Sequence, residues 1–419
     1  MALTTDQGRT ATSAEAGIDP QERLAQEAPR WKGAHGVRTA VSDLRDPVAA
    51  AGELYSALAH EALGFVLFFV SAEYPLDPLG RALEDAFGDV GLAGCTTAGE
   101  ITPDGYARGC IVAIGFDRRV FGVAACLIED LEQVTLTKAQ RQVEHLLTSA
   151  RRRLADCAPP NAQAADRADA PFALTLLDGL SASEEQVLTI LDAALGGIPS
   201  FGGSAGDDNR LAHTHVFADG RFHTAAAAVV LITTRQPFEV FSTHHLVARH
   251  EKLVVTEADA ASRRVLELNA APAVDEYASL VGLRPDELNE GVFARHPLAV
   301  KLGDAYYVRS IQRVNDDGSL SFYCAVETGI VLTAMQPTPM LAALDETLEG
   351  LERRLGGPLL VIGCDCFLRR LELEADGGIE AGSRRLARAG VIGFNTYGEQ
   401  HHGMHINQTF TGVAIGSLA

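Results

Sequence analysis

One short motif recurs three times along the chain, and it restricts the folds that the chain can adopt. Residues 94–100 read GCTTAGE, residues 201–207 read FGGSAGD and residues 393–399 read GFNTYGE. Each copy contains a Ser or Thr, one further residue, a Gly and then an acid. Glycine permits positive φ and close backbone approach where a strand ends. The motif therefore predicts three equivalent strand ends, and with them a repeated architecture.

The segments around the three loops follow one order. A continuous apolar strand (65–70, 172–178, 358–366) precedes a helical stretch (77–87, 181–195, 383–389), the loop and a last apolar strand (109–116, 225–233, 409–416). Turn signals such as Pro-Asp-Gly at 103–105 separate the loop from that last strand. The pattern predicts an α/β protein with mixed sheets, built from repeated strand-helix-strand-hairpin units. Region 238–356 is less regular, and we expect helices there at 262–268 and 340–355.

Composition excludes several classes of protein. The chain has 419 residues, 47% of them hydrophobic, which is enough for two or three domains with real cores. The formal charge of −20 disfavours nucleic-acid binding, because such a chain repels phosphates. Seven scattered cysteines indicate free thiols in a reducing cytoplasm, and no apolar run is long enough for a membrane span. We expect residues 1–34 to form a disordered tail and residues 157–171 a flexible loop.

The three loops have two interpretations. As binding loops, their backbone N–H groups and hydroxyls would hold a ligand in a shared cleft. As ordinary strand-end turns, the hydroxyl would satisfy the backbone and Gly would avoid a clash. The first interpretation assigns a ligand to the following residues: Thr96, Thr97, Gly99, Glu100, Gly203, Ser204, Gly206, Asp207, Thr396, Gly398 and Glu399.

Residues 202–206, GGSAG, also match the G-x-S-x-G pattern of a nucleophile elbow with Ser204 as nucleophile. An elbow needs a helix directly after the serine, whereas the segment after Ser204 reads as extended chain and a hairpin. A serine hydrolase is therefore a weaker hypothesis than the two binding functions described below, namely haem binding and the binding of another small molecule. We expect a protein that is not an enzyme and has no catalytic residues.

Histidine and cysteine groups suggest metal or haem ligands. His401, His402 and His405, with Glu399 nearby, could bind a metal or form a polar loop. The pair His244–His245 suits an axial haem ligand, and it suits ordinary strand histidines equally well. Two further residues, Cys364 and Cys366, flank Asp365 and read as buried thiols, a metal pair or a redox pair.

Several of these segments, taken in order, resemble the FIST family. They are GCTTAGEI, FGGSAGDD, VVTEAD, CDCFLRRLE and GFNTYGEQ…HINQTFTGVAIG, and they extend from about residue 35 to residue 419. The resemblance implies two FIST subdomains, N-terminal over 35–237 and C-terminal over 238–419. It also implies a cytoplasmic sensory, ligand-binding module of bacterial signal transduction.

Within that family, the stretch FSTHHLVARHEKLVVTEAD is similar to the stand-alone NosP type, haem proteins that sense nitric oxide. This resemblance implies haem b with its iron bound by His244 or His245. It further implies a partner histidine kinase or a cyclic-di-GMP enzyme (diguanylate cyclase or phosphodiesterase), with homo-oligomerisation left open. The alternative is a FIST module that binds another small molecule, such as an amino acid, without haem.

Overall fold

The computed structural model describes residues 36–157, 169–208 and 210–416. The predicted tail at 1–34 lies outside the described residues, and so do residues 158–168 of the predicted loop. Within the described ranges, no helix combines the length and apolar character needed to cross a bilayer.

The first repeat extends from residue 37 to residue 117. Its elements are β1 Val37–Ser42, α1 Pro47–Leu58, β2 Leu63–Ser71, α2 Leu76–Phe87, β3 Gly91–Thr97, β4 Glu100–Thr102, β5 Gly105–Ala107 and β6 Ile111–Asp117. Strand β2 lies parallel to β3 and antiparallel to β6. It is apolar on both faces because both faces are covered. Leu79, Leu83 and Phe87 of α2 are buried on one side of the helix, as their spacing predicts.

The second repeat has the same order of elements. They are β7 Phe121–Ile128, α3 Leu136–Cys157, β8 Ala170–Leu177, α4 Glu184–Leu195, β9 Ser200–Ser204, β10 Val216–Ala218, β11 Arg221–His223 and β12 Ala227–Thr234. Asp219 and Gly220 both have positive φ, which is the conformation that a two-residue hairpin between β10 and β11 requires.

The third repeat begins with β13 Phe238–Thr243 and is then interrupted by an insertion. The insertion contains β14 Leu246–Asp259, β15 Arg264–Leu268, β16 Ala271–Pro272, α5 Ala273–Val281, α6 Glu290–Arg295, β17 Leu298–Leu302, β18 Ala305–Arg309, β19 Ile311–Val314, β20 Leu320–Phe322 and β21 Val331–Pro337. These strands form a fourth sheet with its own apolar core, in which Tyr277 and Phe293 are buried.

The predicted helix at 262–268 is wrong. This segment contains strand β15, which pairs antiparallel with β14 through Val265 opposite Ala258 and Leu268 opposite Val255. Val265 and Leu268 are three residues apart, a spacing that suits a helix. Pairing with the long neighbouring strand overrides that local preference.

After the insertion the third repeat resumes. Its remaining elements are α7 Met340–Leu355, β22 Pro358–Cys366, α8 Phe367–Ala375, α9 Ile379–Arg388, β23 Val391–Thr396, β24 Glu399–His401, β25 Met404–Ile406 and β26 Phe410–Gly416. The prediction of a helix at 340–355 is confirmed by α7. The mixed α/β class with repeated units is confirmed as well.

Each repeat donates its hairpin to the sheet of another repeat. The sheet orders are β1-β6-β2-β3-β10-β11, β25-β24-β9-β8-β12-β7 and β13-β26-β22-β23-β4-β5. The inner faces of the three sheets share one core, in which Phe69 and Phe394 stack with ring centroids 4.5 Å apart. Because the hairpins are exchanged in a ring, the strand-end loops of all three repeats meet.

Candidate functional site

The three recurring loops form a closed junction. Gly206 N donates to Thr96 O at 3.0 Å, Ala98 N to Asn395 O at 2.9 Å and Ser204 N to Gly398 O at 2.8 Å. Each bond joins two different repeats, so the loops form a ring. A Cβ on Gly206 would lie 2.6 Å from Ala98 N, which explains the glycine there.

The acids of the first and third loops are held in the same way. Glu100 accepts hydrogen bonds from Thr97 Oγ1 at 2.5 Å and from Cys110 N at 3.3 Å. Glu399 accepts from Thr396 Oγ1 and, at 3.0 Å, from Thr409 N. Burial raises the pKa of each carboxyl to about 7, although these hydrogen bonds lower it in part.

The second loop departs from this arrangement. Asp207 accepts from the Tyr397 hydroxyl and from three backbone N–H groups of residues 211–213. Burial opposes the ionisation of Asp207, but these hydrogen bonds outweigh it and lower its pKa. Ser204 is followed by irregular chain at 205–207 rather than a helix, and Gln400 Nε2 donates to its Oγ at 3.4 Å.

The structure thus brings the predicted loop residues together, but in a closed junction and not in the predicted cleft. The side chains of Thr97, Ser204 and Glu399 are at most 1% exposed. Gly203 has no room for a side chain, because a Cβ would lie 2.4 Å from Thr396 Cγ2. A ligand at this junction stays a prediction, and the contacts seen there are those of the strand-end interpretation.

His245 is part of a fully paired, buried network. Its Nε2 lies 3.0 Å from both carboxylate oxygens of Glu372, and its Nδ1 lies 3.0 Å from Arg369 NH1. Arg369 Nε donates to Asp365 at 2.7 Å, and the Tyr106 hydroxyl donates to the same carboxylate at 2.6 Å. Both ring nitrogens of His245 are therefore engaged.

His244 is half-buried, and its Nδ1 accepts a hydrogen bond of 3.2 Å from Leu246 N. Burial, with His245 and Arg369 nearby, lowers its pKa, which favours the neutral ring. A neutral ring whose Nδ1 accepts carries its proton on Nε2. In this arrangement, neither histidine presents a free lone pair to iron, so the two residues do not fit an axial haem ligand.

The histidines after the third loop do not assemble with Glu399. His401 and His402 contact each other with ring centroids 4.3 Å apart, whereas Glu399 faces Thr396 and Thr409. His405 turns instead towards helix α4, where its Nδ1 lies 3.2 Å from Glu185 Oε1.

His405 belongs to a second buried polar group, which we name the insertion cluster. It joins α4, the insertion and the chain after β24, and its members are Glu185, Arg263, Arg309, Ser310, Cys324, His405, Asn407 and Gln408. Arg263 NH2 donates to Glu185 Oε2 at 2.6 Å. Cys324 Sγ lies 3.0 Å from Asn407 Oδ1, and Arg309 NH1 donates to His405 O at 3.1 Å.

Charge within the cluster is strongly coupled. Burial alone would raise the pKa of Glu185, but His405 and Arg263 outweigh it and hold that pKa well below its usual range. Burial would lower the pKa of His405, but Cys324 and Glu185 outweigh it and raise that pKa well above its usual value. The cluster therefore contains an imidazolium–carboxylate pair beside the Arg263 guanidinium.

The distinctive property of this cluster is its unpaired polar atoms. Of the nine buried side-chain N or O atoms without a partner in the described residues, six belong to it: Arg263 Nε, Arg309 Nε, Ser310 Oγ, His405 Nε2, Asn407 Nδ2 and Gln408 Oε1. Buried polar groups are paired in the great majority of cases, so a concentration of exceptions needs an explanation. Ordered water is one explanation, and a bound ligand is another.

Sequence reasoning missed most of this cluster. Glu185, Cys324 and His405 are up to 220 residues apart, so no spacing pattern connects them. The one available signal was HINQT at 405–409, a polar run that leads directly into the apolar strand β26.

Comparisons with known proteins agree with the resemblance seen in the sequence. The FIST N domain model matches residues 64–271, and the FIST C domain model matches residues 273–402. The division at 237 and 238 stays a prediction. No curated protein matches the chain. The solved structure of T. maritima PurL complexed with FGAR aligns at 11% identity over 93% of this chain and 75% of that chain. Its TM-score of 0.18 is too low to indicate a shared fold.

The two domain models together span most of the chain, in the order that the motifs indicated. The chain therefore belongs to the FIST family, whose domains are small-molecule sensing modules in signalling proteins.

Proposed function

We propose that the protein senses an amino acid, or a closely similar zwitterion, through the insertion cluster. The observation that carries this proposal is that six of the nine unpaired buried polar atoms belong to residues of this cluster. Leaving a buried donor or acceptor unsatisfied costs about 1–3 kcal/mol. A ligand that pairs with several of them recovers that free energy on binding.

The unpaired atoms match both ends of a zwitterion. Arg309 is 8% exposed and makes no ion pair with any carboxylate in the described part of the chain. Its Nε is free, and the next residue, Ser310, is linked to Asn407 by a hydrogen bond of 3.2 Å from its backbone N to Oδ1. The Arg309 guanidinium, the unpaired Ser310 hydroxyl and the unpaired Asn407 Nδ2 therefore suit a ligand carboxylate. Gln408 Oε1 is an unpaired acceptor, which suits an ammonium group.

The position of the cluster suits a sensor. Its residues come from a core repeat, from the insertion and from the third hairpin, so a ligand would join three parts of the fold. A ligand shifts a conformational equilibrium only by its differential affinity for the two states. Contacts to several elements supply that difference, because moving one element breaks some of them.

The output in this proposal passes to a partner protein, a histidine kinase or a cyclic-di-GMP enzyme. The formal charge of −20 suits a partner with a basic patch, since complementary charge accelerates encounter and selects partners.

Thermal shift measurements with a panel of L-amino acids, matched amines and matched carboxylic acids test the proposal. We expect stabilisation by at least one amino acid and weaker stabilisation by molecules that lack either charged group. Arg309→Gln should abolish the shift, whereas the exposed control Arg313→Gln should retain it. A panel without any shift, or an unchanged shift in Arg309→Gln, contradicts the proposal.

Haem and nitric oxide sensing is a separate hypothesis that rests on the NosP resemblance. An absorption spectrum of reduced, haem-treated protein with and without nitric oxide tests it, with His244→Ala and His245→Ala as variants. A Soret band that moves with nitric oxide and disappears in one variant supports haem. The pairing of both histidines leads us to expect loosely bound haem that neither variant alters.

A further inference from the structure

We propose that Glu185, Cys324 and His405 form a Zn²⁺ site. The three side chains come from α4, from the segment after β20 and from β25. A carboxylate oxygen, a thiol sulfur and a ring nitrogen all lie within 4.8 Å of one another. In the described part of the chain, no other group of three or more His, Cys, Asp or Glu residues meets this criterion.

The distances are close to those of a tetrahedral zinc centre. Zn–N and Zn–O bonds of about 2.0–2.1 Å and a Zn–S bond of about 2.3 Å place ligand atoms roughly 3.3–3.6 Å apart. His405 Nδ1 and Glu185 Oε1 are already 3.2 Å apart. Side-chain movements of about 1 Å would therefore complete the geometry around an ion that takes the place of the proton between them.

The donor set selects the metal. A thiolate together with an imidazole suits Zn²⁺, whereas Mg²⁺ and Ca²⁺ prefer all-oxygen sites. Cys324 is 0% exposed and His405 is 2% exposed, so bulk water would not compete for either ligand.

The surroundings already hold Glu185 in place. Ala325 N donates to Glu185 Oε1 at 2.7 Å, and Arg263 donates to the other oxygen of the same carboxylate. Donors of this kind orient metal ligands and tune their basicity. Cys324 Sγ–H donates to Asn407 Oδ1 at 3.0 Å, a hydrogen bond that the thiol gives up when it loses its proton to bind the ion. Arg263 can keep its contact while Oε1 binds the ion.

Three protein ligands leave a fourth position, which in zinc proteins holds water or a ligand. The zinc site goes beyond the proposed amino acid sensing and does not depend on it. The two are separable, because metal binding is measured without amino acids and amino acid binding is measured in the presence of a chelator.

Equilibrium dialysis of chelator-treated protein against Zn²⁺ tests the site, with Co²⁺ as a spectroscopic probe. We expect one ion per chain and a thiolate-to-cobalt charge-transfer absorption. Losing a metal ligand should cost more than the roughly 10–100-fold that second-shell changes cost. Cys324→Ser and His405→Gln should therefore each weaken binding by at least about 100-fold. The control Cys126→Ser, at a half-buried thiol on β7, should bind like the wild type.

Absence of tight Zn²⁺ binding by the wild type overturns the proposal, as does wild-type affinity in Cys324→Ser. Circular dichroism shows whether each variant is folded. If Cys324→Ser fails to fold, the cobalt spectrum of the wild-type protein decides, and a spectrum without thiolate charge transfer overturns the site.

Discussion

Two buried polar networks involve the insertion or the residue next to it, and they differ in one respect. The network of His245, Arg369, Asp365 and Tyr106 leaves no buried polar atom without a partner. The insertion cluster leaves six such atoms unpaired. Both contain a buried histidine beside a glutamate and an arginine. A paired network of this kind fixes the fold, whereas an unpaired one needs partners from outside the chain, either ordered water or a ligand.

Removing a member of the paired network should have the largest effect on stability. Arg369 and Asp365 are 2% and 1% exposed in their side chains and only 2.7 Å apart. Arg369→Gln leaves an uncompensated buried carboxylate, which costs about 3–5 kcal/mol. Urea unfolding measures this cost. The exposed pair of Arg384 and Glu380 supplies the control, since Arg384→Gln should cost less than about 1 kcal/mol. Equal losses in the two variants would contradict the distinction.

The junction carboxyls should make stability depend on pH. Glu100 and Glu399 have an ordinary pKa of 4.5 and a pKa of about 7 when folded. The folded protein therefore keeps these protons between about pH 4.5 and pH 7 while the unfolded chain loses them. The contribution of these two protons to the free energy of unfolding is greatest below pH 4.5. It falls as the pH rises towards 7 and is lost above that pH.

A shift from 4.5 to about 7 corresponds to roughly 3 kcal/mol for each carboxyl. Glu100→Gln and Glu399→Gln mimic the protonated form, so each variant should remove about half of this loss of stability between pH 4.5 and pH 7. Chemical denaturation at a series of pH values measures it. A wild-type protein that gains stability between pH 5 and pH 7, with the gain lost in either variant, would show ionised carboxylates at the junction instead.

A methyl group at the junction should have an intermediate effect. Gly206→Ala places a Cβ 2.6 Å from Ala98 N, so two loops must separate. Overpacking of this kind typically costs about 1–3 kcal/mol. Gly52→Ala in α1 is the matched control, because a Cβ there meets nothing within 4 Å and should stabilise the helix by roughly 0.5–1 kcal/mol. In thermal unfolding, the Tm of Gly206→Ala should fall below that of the wild type and the Tm of Gly52→Ala should rise above it.

The smallest change is expected in the insertion cluster. Ser310 is 0% exposed, and its hydroxyl has no partner among the described residues, so Ser310→Ala removes an unsatisfied group and no hydrogen bond of that hydroxyl. We expect its free energy of unfolding to stay within about 1 kcal/mol of the wild type or to rise. A loss of 2 kcal/mol or more in denaturant unfolding would show that the hydroxyl has a structural partner.

Local sequence patterns predicted the helices and strands but not how the three repeats pack together. Buried strands such as Leu63–Ser71 and turns such as Asp219–Gly220 could be predicted, because each depends on residues that are close together in the sequence. The exchange of hairpins between repeats could not be predicted, since β4 and β23 pair although they are almost 300 residues apart in the sequence. The same limit applies to the site. Glu185, Cys324 and His405 meet only after the insertion packs against the core. The pair His244–His245 was instead proposed because the two residues are adjacent and lie in a stretch similar to the NosP type.

In the function proposed here, the insertion cluster binds the ligand and the paired network around His245 does not. Calorimetric titration with the L-amino acid that gives the largest thermal shift tests it in Ser310→Ala and in Tyr106→Phe, one variant from each network. The loss of one hydrogen bond to a charged ligand costs about 1.5–3 kcal/mol, so Ser310→Ala should weaken binding at least about tenfold. Tyr106→Phe should leave the affinity unchanged. Unchanged binding in Ser310→Ala, together with a loss in Tyr106→Phe, would show that the insertion cluster does not hold the ligand and would place the ligand beside His245.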